Sequence, residues 1–174
     1  MRNTLNVAFV KEVYEEVTEY FRYILYQASV KGVDPEQVVD KLDITLTGAE
    51  VLSIRDSGDV VRVVTDRLFR KLEGLKSPIS LLQRMSNRLN LNVSQSLMDA
   101  ALPYLMSRHI FVHADGVPPE DFRVKYPFIK RDDNKRIKVD LAFVQKAYTA
   151  VDALIRAYDE AMIKNDLLPE GESS

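Results

Sequence analysis

Both histidines of this 174-residue chain lie on one stretch, four positions apart, with an arginine directly before the first: Leu105-Met106-Ser107-Arg108-His109-Ile110-Phe111-Val112-His113-Ala114-Asp115-Gly116. These side chains can move protons and hold anions. An imidazole titrates near neutrality, so it can take a proton from one oxygen and give one to another. A guanidinium stays charged and offers a planar fork of donors that fits a phosphoryl group. The apolar residues around them predict a core helix carrying polar groups on one edge. Arginine and histidine seldom enter a core without a partner or a task.

Three uses fit Arg108, His109 and His113. In a structural use, a histidine near a helix end satisfies the last carbonyls and the arginine pairs with a carboxylate. In a metal site, His109 and His113 lie one turn apart on one face, a workable pair for zinc. A helical metalloprotease motif needs glutamate after the first histidine, where this chain has Ile110. Asp115 is the nearby acid, and a third ligand would have to come from elsewhere. In the third use, the groups cleave RNA without metal: the imidazole moves the proton of a 2′-hydroxyl or of a leaving oxygen, and Arg108 holds the phosphate. At about 100° per residue, Arg108 and His113 point roughly 140° apart on an ideal helix. A two-fold dimer apposing two copies of the helix would bring two arginines and two histidines to one cleft.

A basic segment follows. From Phe122 to Lys138, the cations Arg123, Lys125, Lys130, Arg131, Lys135, Arg136 and Lys138 meet only Asp132 and Asp133 as acids, with Phe122, Tyr126 and Phe128 interleaved. Such a run suits a phosphate backbone and unstacked bases, and equally a solvated loop. Asp132-Asp133-Asn134 predicts a turn, joining two short strands in a small hairpin.

The elements that must position these groups are helical. From Asn6 to about Val30, Val7, Val10, Tyr14, Val17, Phe21, Ile24 and Ala28 keep spacings of three and four, while Glu12, Glu15, Glu16 and Glu19 should face water. Lys31-Gly32 ends that helix. Asp34-Pro35-Glu36-Gln37 reads as the start of a short helix to about Leu42, and Thr47-Gly48-Ala49-Glu50 as the start of another. Val61, Val64, Leu68, Leu72 and Leu75 make the next long stripe, with Gly74 as its C-terminal cap. Ser77-Pro78 opens a helix that buries Ile79, Leu82, Met85 and Leu89. Asn90 to Val93 connect, and Ser94 should cap the histidine-bearing helix, in which Pro103 predicts a kink or a restart. Asp115-Gly116 and Pro118-Pro119 stop it. Asp140 should cap a final long helix with Val144, Tyr148, Val151, Ile155, Tyr158 and Met162 inward. The expected fold is all-α: an up-and-down bundle of four long helices with short extras and a basic loop or hairpin before the last.

Composition bounds the rest. The length predicts a single domain over residues 1–165, with 166–174 as a flexible tail. The absence of cysteine excludes disulfides, thiolate metal sites and cysteine nucleophiles. With no apolar leader and no membrane-length apolar run, a cytoplasmic protein without a membrane partner is expected. A net charge of −2 argues against a protein coated in phosphate-binding groups and permits a local basic patch.

At Arg108 to Gly116 the sequence resembles the HEPN superfamily (higher eukaryotes and prokaryotes nucleotide-binding), whose signature is an arginine, four to six intervening residues and a histidine, with a polar residue after the arginine. Arg108, His109 and His113 match those positions, and the surroundings are similar to the RiboL-PSP-HEPN branch. Ala114 stands where members commonly carry asparagine. The resemblance is best over residues 76–162. It implies a homodimer formed through the motif helix and a metal-independent endoribonuclease of toxin or phage-defence type, working with no cofactor and with an antitoxin or defence partner. It assigns Arg108 to the phosphate, His113 to acid-base catalysis and His109 to an auxiliary role. The same superfamily includes members that bind RNA, nucleotide or a partner protein without cutting.

Overall fold

The computed structural model of the chain describes residues 2–33, 45–74 and 78–168. The chain is all-α: seven helices and no strand occur among the described residues. Four are long, α1 (Arg2–Val30), α3 (Ser57–Gly74), α5 (Gln95–His113) and α7 (Leu141–Lys164). Three are short, α2 (Gly48–Ser53), α4 (Pro78–Arg88) and α6 (Glu120–Lys125). The short helix expected from Asp34 to Leu42 lies outside the described residues, as do Leu75 and Ser77. The chain forms two compact units, one within Met1–Thr18 and Ser94–Arg156, the other within Glu19–Val93 and Ala157–Ser174.

In the first unit, α5 has apolar residues on every side through its middle turns: Ala101, Leu102, Pro103, Tyr104 and Leu105 are all buried. A helix that is apolar all round belongs inside a fold. Pro103 neither stops nor restarts it, contrary to one expectation, and the hydroxyl of Ser107 donates to the Pro103 carbonyl at 2.7 Å. Ser94 stands at the N-cap position but its side chain does not cap, because its hydroxyl is shared with Ser96 at 2.8 Å. The far end closes as expected. Asp115 and Gly116 take positive φ, and Gly116 N–H reaches back to the Ile110 carbonyl at 3.1 Å.

The Pro118-Pro119 stop holds for α5, yet Pro119 is also the N-cap of α6, a helix not expected from the sequence. Glu120 and Asp121 in its first turn and Arg123 and Lys125 in its last oppose the helix dipole favourably. After it comes the hairpin, reduced to one antiparallel bridge between Arg131 and Ile137. Asp132 shapes its turn by accepting from the N–H groups of Asn134 and Arg136, both at 2.9 Å.

Asp140 caps α7 as expected, accepting from Phe143 N–H at 2.9 Å. The buried face of α7 differs from the expected stripe: Phe143, Ala147, Val151, Leu154, Tyr158 and Met162 are inside, whereas Tyr148 is 59% exposed and Val144 and Ile155 are half-buried. Spacings of four, four, three, four and four trace this face. The Asn6 amide donates to the Val139 carbonyl at 2.8 Å, tying the start of α1 to the run before α7.

The second unit is built on α1 residues Phe21, Ile24, Leu25 and Ala28, none of which is exposed. Phe21 meets Tyr158 edge-on, with centroids 4.8 Å apart, and Tyr158 donates to the Leu82 carbonyl at 2.6 Å. Glu12, Glu15, Glu16 and Glu19 face water as expected. Thr47 and Glu50 make a full capping box on α2, and Arg67 from α3 grips Glu50 through two hydrogen bonds of 2.8 and 2.7 Å. The left-handed residue Gly32 ends α1, with Val33 N–H returning to the Ala28 carbonyl at 3.0 Å. At the other end of the chain, Leu167 N–H closes α7 on the Met162 carbonyl at 2.9 Å and Leu168 is buried, while residues 169–174 lie outside the described residues.

Candidate functional site

The last turns of α5 are where that helix leaves the interior. Ser107 and Ile110 are buried, Arg108 is half-buried, and His109, Val112 and His113 are exposed. The chemistry-bearing groups thus share the segment in which a buried helix becomes a surface one. His109 and His113, one turn apart, stack with ring centroids 4.5 Å apart and planes tilted by 45°.

Arg108 turns elsewhere. Its guanidinium lies over the Tyr14 ring of α1, 5.1 Å from the centroid, a cation–π contact worth about 0.5–1 kcal/mol at a partly exposed site. Its buried Nε has no hydrogen-bond partner among the described residues, and no hydrogen bond joins it to either histidine there. This divergence is the one that ideal helix geometry gives for Arg108 and His113. Tyr14 was visible in the sequence only as one more stripe residue, and nothing in its spacing marked it as the seat of an arginine.

The basic hairpin is attached to this same helix end. Arg136 pairs with Asp115, and Ile137 N–H donates to the Gly116 carbonyl at 2.9 Å. Gly116 also sits close under Phe111 and beside Arg136: a Cβ there would lie 3.4 Å from the Phe111 ring and 3.6 Å from Arg136 Cβ. Lys130, Arg131, Lys135, Arg136 and Lys138 are exposed on the hairpin. So the structure brings five of the seven basic residues to the segment that follows the histidines. Asp115, considered above as a metal ligand, instead serves as the hairpin's anchor. Among the described residues no group of three histidine, cysteine, aspartate or glutamate side chains is placed to hold a metal ion.

Comparison with protein-family models, with curated proteins and with solved structures gave no match.

The other two candidates sit on α6. Arg123 is paired with Glu120, and its buried Nε has no partner among the described residues. Lys125 is exposed and lies over the Tyr126 ring at 5.5 Å. The interleaved aromatics do not act as a set. Phe122 and Tyr126 are buried and pack on each other at 4.9 Å, so neither offers a face to a base. Phe128 alone of the three is exposed. The period of the segment misleads because α6 turns Phe122 inward and Tyr126 follows it as the C-cap.

No helix among the described residues is long and apolar enough to cross a membrane.

Proposed function

We propose that this chain cleaves single-stranded RNA without a metal ion, with the RNA's own 2′-hydroxyl as nucleophile. The observation that carries the reading is the attachment of the basic hairpin to the helix end that holds both histidines. Cations that attract a phosphate backbone then stand beside imidazoles able to move its protons.

In the step itself, the 2′-oxygen bonds to phosphorus and the bond from phosphorus to the 5′-oxygen breaks. One imidazole takes the 2′ proton and another supplies a proton to the departing 5′-oxygen, leaving a 2′,3′-cyclic phosphate and a 5′-hydroxyl. His113 is the acid-base group and His109 its neighbour at 4.5 Å. Arg108 neutralises the charge that builds on the phosphoryl oxygens. Because Arg108 and His113 diverge on one helix, the site is shared between two copies of α5 in a homodimer. The biological setting is that of a toxin or phage-defence component with a cognate antitoxin or defence partner.

One observation favours a second reading, a non-catalytic module that docks RNA, nucleotide or a partner protein. The Arg108 guanidinium on the Tyr14 ring already has a packing role that requires no substrate.

The product ends decide between them. Purified protein incubated with RNA in EDTA should release fragments with 2′,3′-cyclic phosphate ends, and light scattering at micromolar concentration should give a dimer. Fragments with 3′-hydroxyl ends, or cleavage that appears only with a divalent ion, would refute the mechanism. A monomer would refute the shared site.

A further inference from the structure

We infer that an open hollow beside the basic hairpin is a nucleotide subsite, which stacks one base of a single-stranded RNA on Phe128 and holds the flanking phosphates with Lys130, Lys138 and Lys146. The inference rests on the reading of the chain as RNA-acting and adds where the strand runs.

The hollow encloses only about 50 Å³, so a base stacks at its rim and not inside it, and it lies wholly within the first unit. Its floor is Tyr104 and Phe143, packed edge-on at 5.1 Å. On its rim stands Phe128, 59% exposed and braced edge-on by Tyr126 at 6.1 Å. A largely exposed aromatic ring held in that way loses little freedom when a base stacks on it.

Three cations converge on the same hollow from two elements. Lys130 and Lys138 are held side by side by the hairpin ladder, where Lys138 N–H donates to the Lys130 carbonyl at 2.9 Å. Lys146 comes from the second turn of α7. None of the three makes an ion pair among the described residues. The acid on the rim, Asp140, already caps α7 through Phe143 N–H. Cations that no described carboxylate pairs with, set around an exposed ring, match the alternation of phosphate and base in a single strand. An acidic peptide would use the lysines and have no need of the ring.

The test is fluorescence anisotropy of a labelled oligouridylate binding to the full chain, in a His113→Ala background so that the strand stays whole. Phe128→Ala should weaken binding by roughly five-fold or more, and Phe128→Tyr, which keeps the ring, should restore it. The pair Lys138→Gln with Lys146→Gln should flatten the dependence of log Kd on log salt by about one unit. Lys11→Gln should leave both quantities unchanged, and circular dichroism should be native for every variant. Native affinity in Phe128→Ala overturns the subsite, whatever the lysine variants do.

The two readings fail separately. Native binding by Phe128→Ala, with cleavage lost in His113→Ala, removes the subsite and leaves the nuclease. Weakened binding by Phe128→Ala, with cleavage absent in the native chain or unchanged in His113→Ala, removes the nuclease and leaves the subsite.

Discussion

The two units of this chain treat their polar side chains in opposite ways. In the second unit they are sunk and answered. Tyr158 is fully buried with its hydroxyl on the Leu82 carbonyl, and Tyr20 donates to Asp159 at 2.7 Å. Burial pushes the phenol of each above its ordinary range, and for Tyr20 the Asp159 carboxylate adds to the effect. Thr65 and Arg22 are exceptions, the Thr65 hydroxyl and the Arg22 Nε being buried with no hydrogen-bond partner among the described residues. In the first unit, the polar side chains at the end of α5 are exposed or incompletely paired: two histidines against each other in solvent, an arginine over a ring with Nε unanswered. A buried, satisfied polar group fixes a structure; an exposed cluster beside a basic hairpin contributes little to stability and is free to act.

The sharpest way to break this contrast is to empty the second unit's core. Tyr158→Ala removes a fully buried ring and its hydrogen bond, and should cost about 3–5 kcal/mol in denaturant unfolding. The equivalent truncations His109→Ala and His113→Ala remove exposed rings and should change stability by less than about 0.5 kcal/mol. Comparable losses would erase the distinction between the two groups.

Gly116→Ala comes next. Its φ of +81° disfavours any side chain, although the added Cβ would only touch the Phe111 ring, so a cost of about 1–2 kcal/mol is expected from the backbone. The same turn anchors the hairpin, so RNA affinity should fall with stability, measured by anisotropy and thermal melting.

Acid acts on the second unit through Glu50. The two hydrogen bonds from Arg67, followed by those from Thr47, hold its carboxyl down at about 2. An unfolded glutamate titrates near 4.3, so the folded state is favoured above that value, and the benefit is lost as pH falls from there towards 2. Glu50→Gln should flatten the acid limb of a plot of melting temperature against pH. An unchanged limb would mean that the Arg67 contact does not persist in solution.

A small effect on stability is expected at the anchor pair. Arg136 and Asp115 are about half and four-fifths exposed, and Asp115→Asn should cost no more than about 1 kcal/mol. Its effect on function should be larger than that, with RNA affinity falling a few-fold as the hairpin loosens.

Helical periodicity made α1, α3 and α7 legible from sequence, the apolar run between Ser94 and Asp115-Gly116 did the same for α5, and caps at Gly32, Asp140 and Asp115-Gly116 placed the helix ends well. What failed did so for physical reasons. The buried face of α7 includes Ala147, whose small side chain carries no weight in a pattern read from large residues, so that pattern points to Tyr148 in its place. Pro118-Pro119 looked like a barrier although a proline is welcome at a helix start, and the acids Glu120 and Asp121 just after it were the available signal for α6. The three candidate side chains of α5 were legible as types. Their surroundings were not, because Tyr14 under Arg108 and the hairpin on Asp115 are contacts across long stretches of chain.

The central claim is that the end of α5 is a catalytic site, and the most direct measurement is the cleavage rate of single-stranded RNA in EDTA by the native chain, Arg108→Ala and His113→Ala, with circular dichroism confirming that all three are folded. The account predicts cleavage by the native chain and a loss of roughly hundred-fold or more in each variant. Equal cleavage by all three, or none by the native chain, would contradict it and leave the segment as a binding surface.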